Sequence, residues 1–313
     1  MQKIRLGTRG SALARRQADW TAAQLLIHGI ETERVIIQTS GDSEQNQSIA
    51  NIGAQGVFTK EIQRALLDGK IDLAVHSLKD LPTDPVAGLQ LAAVTKRDTY
   101  RDAFISNRFE TLDTLPERSR IGTGSLRRKT QLLHQFADRF RIDDIRGNVE
   151  TRLRKLDSGD YDAVILAEAG LIRLGFAGRI RSFLEEPMFL PAAGQGALGL
   201  ETRSGDDSVT KIAALLCDRE TFAAVSAERA FLRTMQGGCL APIAALGTVK
   251  DGVLTLHGRE LTLDGKMCYE NTQSVMLTGG TAEFITLPET LGNAVAQAVF
   301  LKKQQIGENF PEK

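Results

Sequence analysis

Short apolar runs alternate with amphipathic stretches along roughly the first 200 residues, in a strand-then-helix rhythm. Residues 3–7 read as a strand, and Ser11 caps a helix that closes near Gly29. Arg34 to Thr39 is a second strand, a polar stretch covers 40–56, and a helix of about 57–69 ends at Gly69. Asp72 to His76 and Leu89 to Val94 are the third and fourth strands. The charged run Lys96 to Asp102 reads as a crossover into a second unit, where the rhythm resumes. There the pattern predicts strand 119–122, helix 125–137, strand 141–145, helix 148–158 and strand 162–166. Leu190 to Gly196 would be the return crossing. Such alternation predicts largely parallel sheets wrapped by helices.

Past residue 217 the pattern changes. A helix of 218–235 precedes strands near 243–249, 252–261 and 266–278, and a last helix covers about 288–304. Asp251-Gly252 and Asp264-Gly265 are hairpin turn signals. The expected fold class is therefore α/β: two similar α/β domains around a cleft plus a smaller α+β C-terminal domain with an antiparallel sheet. Domain 1 would take residues 1–96 and 196–215, domain 2 residues 101–190, and domain 3 residues 218–313. Two crossings between α/β units leave a cleft, and ligands of open α/β sheets sit beyond the carboxyl ends of strands.

Three strand-to-helix turns at those ends carry arginines: Gly7-Thr8-Arg9-Gly10-Ser11, Gly122-Thr123-Gly124-Ser125-Leu126-Arg127-Arg128, and Arg146-Gly147-Asn148 leading to Arg152 and Arg154. Helix N-termini disfavour cations by a few tenths of a kcal/mol each. Free N–H groups with guanidinium forks do suit carboxylates or phosphates. The plainer reading pairs each arginine with nearby Asp143, Asp144 or Glu150; the repetition of the turn favours a polyanionic ligand.

Lys plus Arg and Asp plus Glu both number 39 in 313 residues, which opposes a general nucleic-acid coat. The positive charge is local and suits a small acidic ligand. No apolar leader and no membrane-length apolar stretch is read, and Cys217, Cys239 and Cys268 have no metal-ligand spacing. A reduced, cytoplasmic setting without a metal is expected. Asn46-Gln47-Ser48 fits a glycosylation sequon that has no meaning there.

Gly194-Gln195-Gly196-Ala197-Leu198-Gly199 matches a dinucleotide fingerprint by letter, but Pro191 interrupts its approach, so it reads as a flexible hinge. His76-Ser77-Leu78-Lys79-Asp80-Leu81-Pro82 follows a strand directly, and Pro82 forces an extended exit. That presents Lys79 and Asp80 at the cleft, where a carboxylate can move protons or stabilise a cation; a surface ion pair is the plainer reading. His76 reads as structural. Gly237-Gly238-Cys239-Leu240-Ala241-Pro242 puts a thiol in a pliable turn, either a nucleophile or attachment point, or a small apolar filler. Cys217 and Cys268 read as packing residues. The 40–56 stretch before Phe58 to Glu61 reads as a lid or binding segment.

Taken together, in order and spacing, these segments resemble the porphobilinogen deaminase (hydroxymethylbilane synthase) family over nearly the whole chain. The resemblance rests on Thr8 to Ala14, Gly53 to Glu61, His76 to Pro82, Gly122 to Arg128, Arg146 to Leu153, Pro191 to Gly199, and Glu228 to Pro242. It implies a transferase of tetrapyrrole biosynthesis that joins four porphobilinogen molecules head to tail and releases ammonia. It also implies two periplasmic-binding-protein-like domains and a covalent dipyrromethane cofactor on Cys239. By motif match Asp80 is the catalytic carboxylate, facing the cationic azafulvene-like species left when ammonia departs. Lys79, Asp80, Thr123, Ser125, Arg127, Arg128 and Arg146 would hold the cofactor, while Arg9, Ser11 and Arg152 would serve the incoming substrate. A monomer is implied, with porphobilinogen as its small-molecule partner and neither nucleic acid nor membrane. Gln55 stands where several relatives of the family have a loop lysine and Ser40 where some have arginine, while Ala12 replaces a common proline and Ala241 a usual β-branched residue. The rival readings are a two-lobed solute receptor and a cysteine-nucleophile acyl transferase that would need His134 or His257 beside Cys239.

Overall fold

The computed structural model describes residues 3–38, 59–236, 241–277 and 283–309. Cys239 and the 40–56 stretch, with Ser40, Asn46, Gln55 and Phe58, lie outside the described residues. The first lobe begins with β1 (Ile4–Arg9), α1 (Ala12–Ile27) and β2 (Thr32–Ile37). It continues with α2 (Lys60–Leu67), β3 (Leu73–Ser77), a 3-10 turn over Leu78–Asp80, and β4 (Leu89–Val94). The second lobe holds β5 (Asp102–Ile105), β6 (Arg120–Gly122), α3 (Leu126–Phe136), β7 (Arg141–Asp143) and α4 (Val149–Asp157). After these come β8 (Ala163–Ala167), α5 (Glu168–Arg173) and β9 (Ser182–Leu184). The chain returns to the first lobe as β10 (Leu198–Arg203) and α6 (Asp207–Ala214). A third unit packs α7 (Arg219–Thr234) and α8 (Glu283–Asn309) on β11 (Ile243–Lys250), β12 (Val253–Leu261) and β13 (Cys268–Met276).

The first sheet runs β2-β1-β3-β10-β4 and the second β7-β6-β8-β5-β9. Each is mixed, where a largely parallel sheet was expected. β10 runs against β3 and β4, and β5 against β8 and β9. The crossings explain this. Leu198 pairs with Ser77 at the end of β3, and Asp102 with Ala167 at the end of β8. A chain that crosses along the cleft enters each sheet at its carboxyl edge and must then run away from it. Both crossings therefore deliver side chains to the cleft floor.

Burial accounts for the layers. Leu6, Ala18, Leu25, Leu73, Val75 and Leu200 fill the first lobe, and Phe104, Ile121, Leu132 and Ile165 the second. Phe231, Leu254, Leu256, Val295 and Val299 fill the third unit. The last helix begins upstream of the expected 288, with Pro288 inside it.

The three units meet at Glu228 of α7, which has no exposed surface. Arg97 Nη2, in the outward crossing, donates to both of its oxygens at 2.8 and 2.7 Å. The backbone N–H groups of Gly194, in the return crossing, and Gly247, in β11, donate to it at 2.7 Å each. A buried carboxylate so surrounded is satisfied; deleting it strands a buried guanidinium and two amides. Glu228→Ala should destabilise the chain by about 3–5 kcal/mol, read as a lowered urea midpoint and melting temperature. A midpoint unchanged from the parent chain would show that the junction is held by other groups.

Candidate active site

The turn that carries Lys79 and Asp80 is braced from both sides. Gln17 of α1 hydrogen-bonds the Ser77 hydroxyl at 2.8 Å just before it. Arg229 of α7 donates to the carbonyls of Leu81 and Pro82 at 2.8 and 2.7 Å just after it. Between these braces Leu78 is buried, Lys79 is half-buried and Asp80 is exposed. Arg9 and Ser11 sit on the same edge of the sheet, since β1 lies beside β3 in parallel. The Ser11 hydroxyl caps α1 by accepting from the Ala14 N–H at 3.3 Å.

Across the cleft, Ser125 caps α3 and Asn148 caps α4. The Thr123 hydroxyl accepts from the Ser125 N–H at 3.3 Å, and the Thr123 N–H donates to the Asp143 carbonyl at 3.0 Å. Arg127 and Arg128 are buried, and neither pairs with the acidic residues close in sequence. Their partner is Asp102, the first residue of β5. Arg127 Nη1 donates to Asp102 Oδ2 at 2.7 Å and to the Leu190 carbonyl at 2.6 Å. Arg128 Nε and Nη2 donate to Asp102 Oδ1 at 3.0 and 2.8 Å, and Nη1 to the Ile165 carbonyl at 3.1 Å. Arg127 Nε is buried with no hydrogen-bond partner among the described residues. Arg146 does pair with Asp144, at 2.6 Å, as the plainer reading expects. Arg152 donates from Nε to the Gly147 carbonyl at 2.8 Å. Gly147 has φ of 109°, and a Cβ there would meet Thr151 Cγ2 at 2.6 Å, so the turn before α4 requires glycine.

The charges act on one another across the cleft. Burial pulls the Lys79 ammonium down to about 8; Asp80 and Asp102 oppose that shift, and Arg128 and Arg127 add to it. Burial likewise lowers Arg152 to about 10, with Arg128 and Arg146 adding to the shift and Asp144 and Asp80 opposing it. Burial alone would raise the Asp102 carboxyl, but Arg127 and Arg128 outweigh it and hold Asp102 well below the usual carboxylate range. Lys79 and Asp80 of one lobe thus share a field with Arg127, Arg128 and Arg152 of the other.

Several residues of the site escape a reading of the sequence. Asp102 is one, hidden in the crossover run. Gln195 is another: the segment expected to be a flexible hinge is a packed crossing, where Gln195 is 1% exposed. Gly196 has φ of 89°, and a Cβ there would lie 2.3 Å from the Thr99 carbonyl oxygen. The glycines let two chain crossings pass each other, which accounts for the fingerprint-like letters. His134 and His257, which a cysteine-nucleophile reading would need, are engaged with the Gly265 carbonyl at 2.8 Å and with Glu270 at 3.2 Å. His76 hydrogen-bonds Glu201 at 3.0 Å inside the first lobe, a structural role.

Fold and site together define a two-lobed α/β protein with a third α+β unit, whose cleft gathers buried and half-buried cations with the exposed carboxylates of Asp80 and Asp144. Residues 4–211 match the sequence profile of the porphobilinogen deaminase, dipyromethane cofactor binding domain, and residues 222–300 that of the porphobilinogen deaminase C-terminal domain. Relatives called porphobilinogen deaminase are 46% identical over 299 residues in Trichlorobacter lovleyi and 43% over 314 residues in Chlorobium phaeobacteroides. These alignments cover 95% and 99% of this chain and 94% and 98% of the relatives. The chain belongs to the porphobilinogen deaminase family. Among solved structures, the methionine-binding protein MetQ and a periplasmic substrate-binding protein of an ABC transporter from Coxiella burnetii overlay with TM-scores of 0.45 each, at 14% and 13% identity. They cover 68% of this chain each, and 89% and 91% of those chains.

The titration of Lys79 tests this electrostatic description. In the apo chain, pH-dependent acylation read by mass spectrometry should show half-reactivity of Lys79 near 8, well below an ordinary lysine. Between there and about 10.5 the unfolded chain holds a proton that the folded chain has released, so Lys79 makes stability rise with pH across that window. Lys79→Met should remove that rise. A midpoint like that of surface lysines would contradict the burial of the ammonium.

Proposed function

We propose that this chain is a hydroxymethylbilane synthase, which deaminates four porphobilinogen molecules and joins them head to tail. The observation that carries the reading is the meeting of Lys79 and Asp80 with Arg127, Arg128 and Arg152 around one cleft. Porphobilinogen bears acetate and propionate groups, so both a cofactor made from it and the growing product are polycarboxylates. The cleft fits such a group: its donors are ammonium and guanidinium, and the buried Nε of Arg127 has no acceptor among the described residues.

Cys239 carries the dipyrromethane as a thioether. When bound, that cofactor supplies the pyrrole carbon to which the first substrate is joined. Lys79, Arg127, Arg128 and Arg146 hold carboxylates there, with Thr123 and Ser125 shaping the turn that presents the arginines. Arg9, Ser11 and Arg152 line the side from which substrate enters. Asp80 is exposed in the cleft and fixed by the braced turn, so its carboxylate meets the positive charge that develops on substrate as ammonia departs. The same carboxylate can take or return a proton at a pyrrole N–H.

The three sheets support the division into residues 1–96 with 196–215, 101–190 and 218–313. Among the described residues no helix is long and apolar enough to cross a membrane. A monomer working in the cytoplasm on a small diffusible substrate is the setting that accompanies the reading.

Asp80→Asn separates chemistry from assembly. It should lower porphobilinogen consumption by about 10²–10⁴-fold, with an unchanged melting temperature and the two-pyrrole adduct still present by intact mass. Turnover within a few-fold of the parent chain would remove Asp80 from the chemistry, and loss of the adduct would overturn the separation of roles.

A further inference from the structure

The return crossing places one neutral side chain between the cations of the two lobes. Gln195 Nε2 donates to the Tyr100 carbonyl at 2.7 Å and to Asp102 Oδ1 at 2.8 Å. Both acceptors are oxygens, so the amide nitrogen must face them and Oε1 must face the other way. There it accepts from Lys79 Nζ at 3.4 Å. The backbone leaves the side chain little freedom. Gly194 N–H donates to Glu228 at 2.7 Å, and the Gly196 carbonyl accepts from Arg173 Nη2 at 2.8 Å.

We infer that Gln195 is a positioning residue that holds the Lys79 ammonium beside the arginine pair while keeping it out of a direct ion pair with Asp102. The inference rests on the reading of Lys79 as a carboxylate-binding group. Asp102 is one of the two anions that act on Lys79, beside Asp80, and it already serves Arg127 and Arg128. An ammonium released onto Asp102 would compete for its oxygens and loosen both guanidinium groups. A neutral amide with its donor toward Asp102 and its acceptor toward Lys79 prevents this. Glutamate at this position would neutralise Lys79 and repel Asp102, and an apolar residue would remove the spacer's hydrogen bonds.

The test is a double-substitution cycle on the full-length chain, with Gln195→Met, Lys79→Met and both together. The readouts are the fraction carrying the two-pyrrole adduct by intact mass, and kcat and KM for porphobilinogen. Gln195→Met should lower adduct loading and raise KM by about fivefold or more, and should change either by less than about twofold once Lys79 is methionine. Independently, acylation of Lys79 in apo Gln195→Met should show its midpoint displaced upward by about one pH unit, as the ammonium reaches Asp102. Equal losses with and without Lys79, or an unmoved midpoint, would overturn the inference. If Lys79→Met alone leaves loading and KM unchanged, the ligand role of Lys79 fails, and the acylation midpoint still decides the role of Gln195. Should Gln195→Met not fold, Gln195→Asn, which keeps the amide but withdraws it, carries the same cycle and the same titration.

Discussion

The cleft depends on one buried carboxylate. Arg127 and Arg128 enter the first turn of a helix, where the backbone already presents positive partial charge, and they do so inside the protein. A buried guanidinium is tolerated only when it is paired and hydrogen-bonded. Asp102 meets that need for both, on opposite oxygens. Such a cluster contributes little net stability relative to an apolar core, but removing its centre leaves two uncompensated charges. Its value is positional: it fixes two cationic groups at the cleft floor without the flexibility of surface side chains.

Topology supplies Asp102, and the fold and site are in this sense one design. The outward crossing must enter the second sheet at the carboxyl edge, antiparallel to β8, so its first strand residue lies where the ligand would lie. The return crossing enters the first sheet by the same rule and brings Gln195 to the same place. Glu228 then ties both crossings to the third unit, and Arg229, the next residue, braces the Asp80 turn. The third unit, whose sequence contains Cys239, is therefore anchored to both crossings. Among the described residues, Lys79, Arg127, Arg128, Arg146 and Arg152 gather with Asp80, Asp102 and Asp144 at this cleft, in a chain of zero formal net charge.

Most of this architecture was legible in the sequence, because amphipathic helices and apolar strands with glycine or polar ends declare themselves locally. β5 was missed because its residues are all buried and show no alternation, and it follows a charged run. β10 was missed because its first residues fall within glycine-rich letters that suggest a loop. The ion pairs were less legible still. Sequence proximity offered Asp143, Asp144 and Glu150 as partners; Asp144 does take Arg146, yet Arg127 and Arg128 bind a carboxylate on a different strand. Nothing local in the sequence announces a pairing set by how two sheets exchange strands. The candidate ligand groups themselves were visible as repeated turns, since the combination of glycine, a capping hydroxyl and arginine is a local pattern.

The central claim is that this cleft holds a cofactor made from its own substrate and anchored by Cys239. The intact mass of the purified chain, denatured and followed by peptide mapping, tests it directly. The account predicts an excess of two linked pyrrole units on the peptide that contains Cys239, either as purified or after incubation of the apo chain with porphobilinogen. A bare Cys239 after that incubation, or the same mass on another residue, would contradict it.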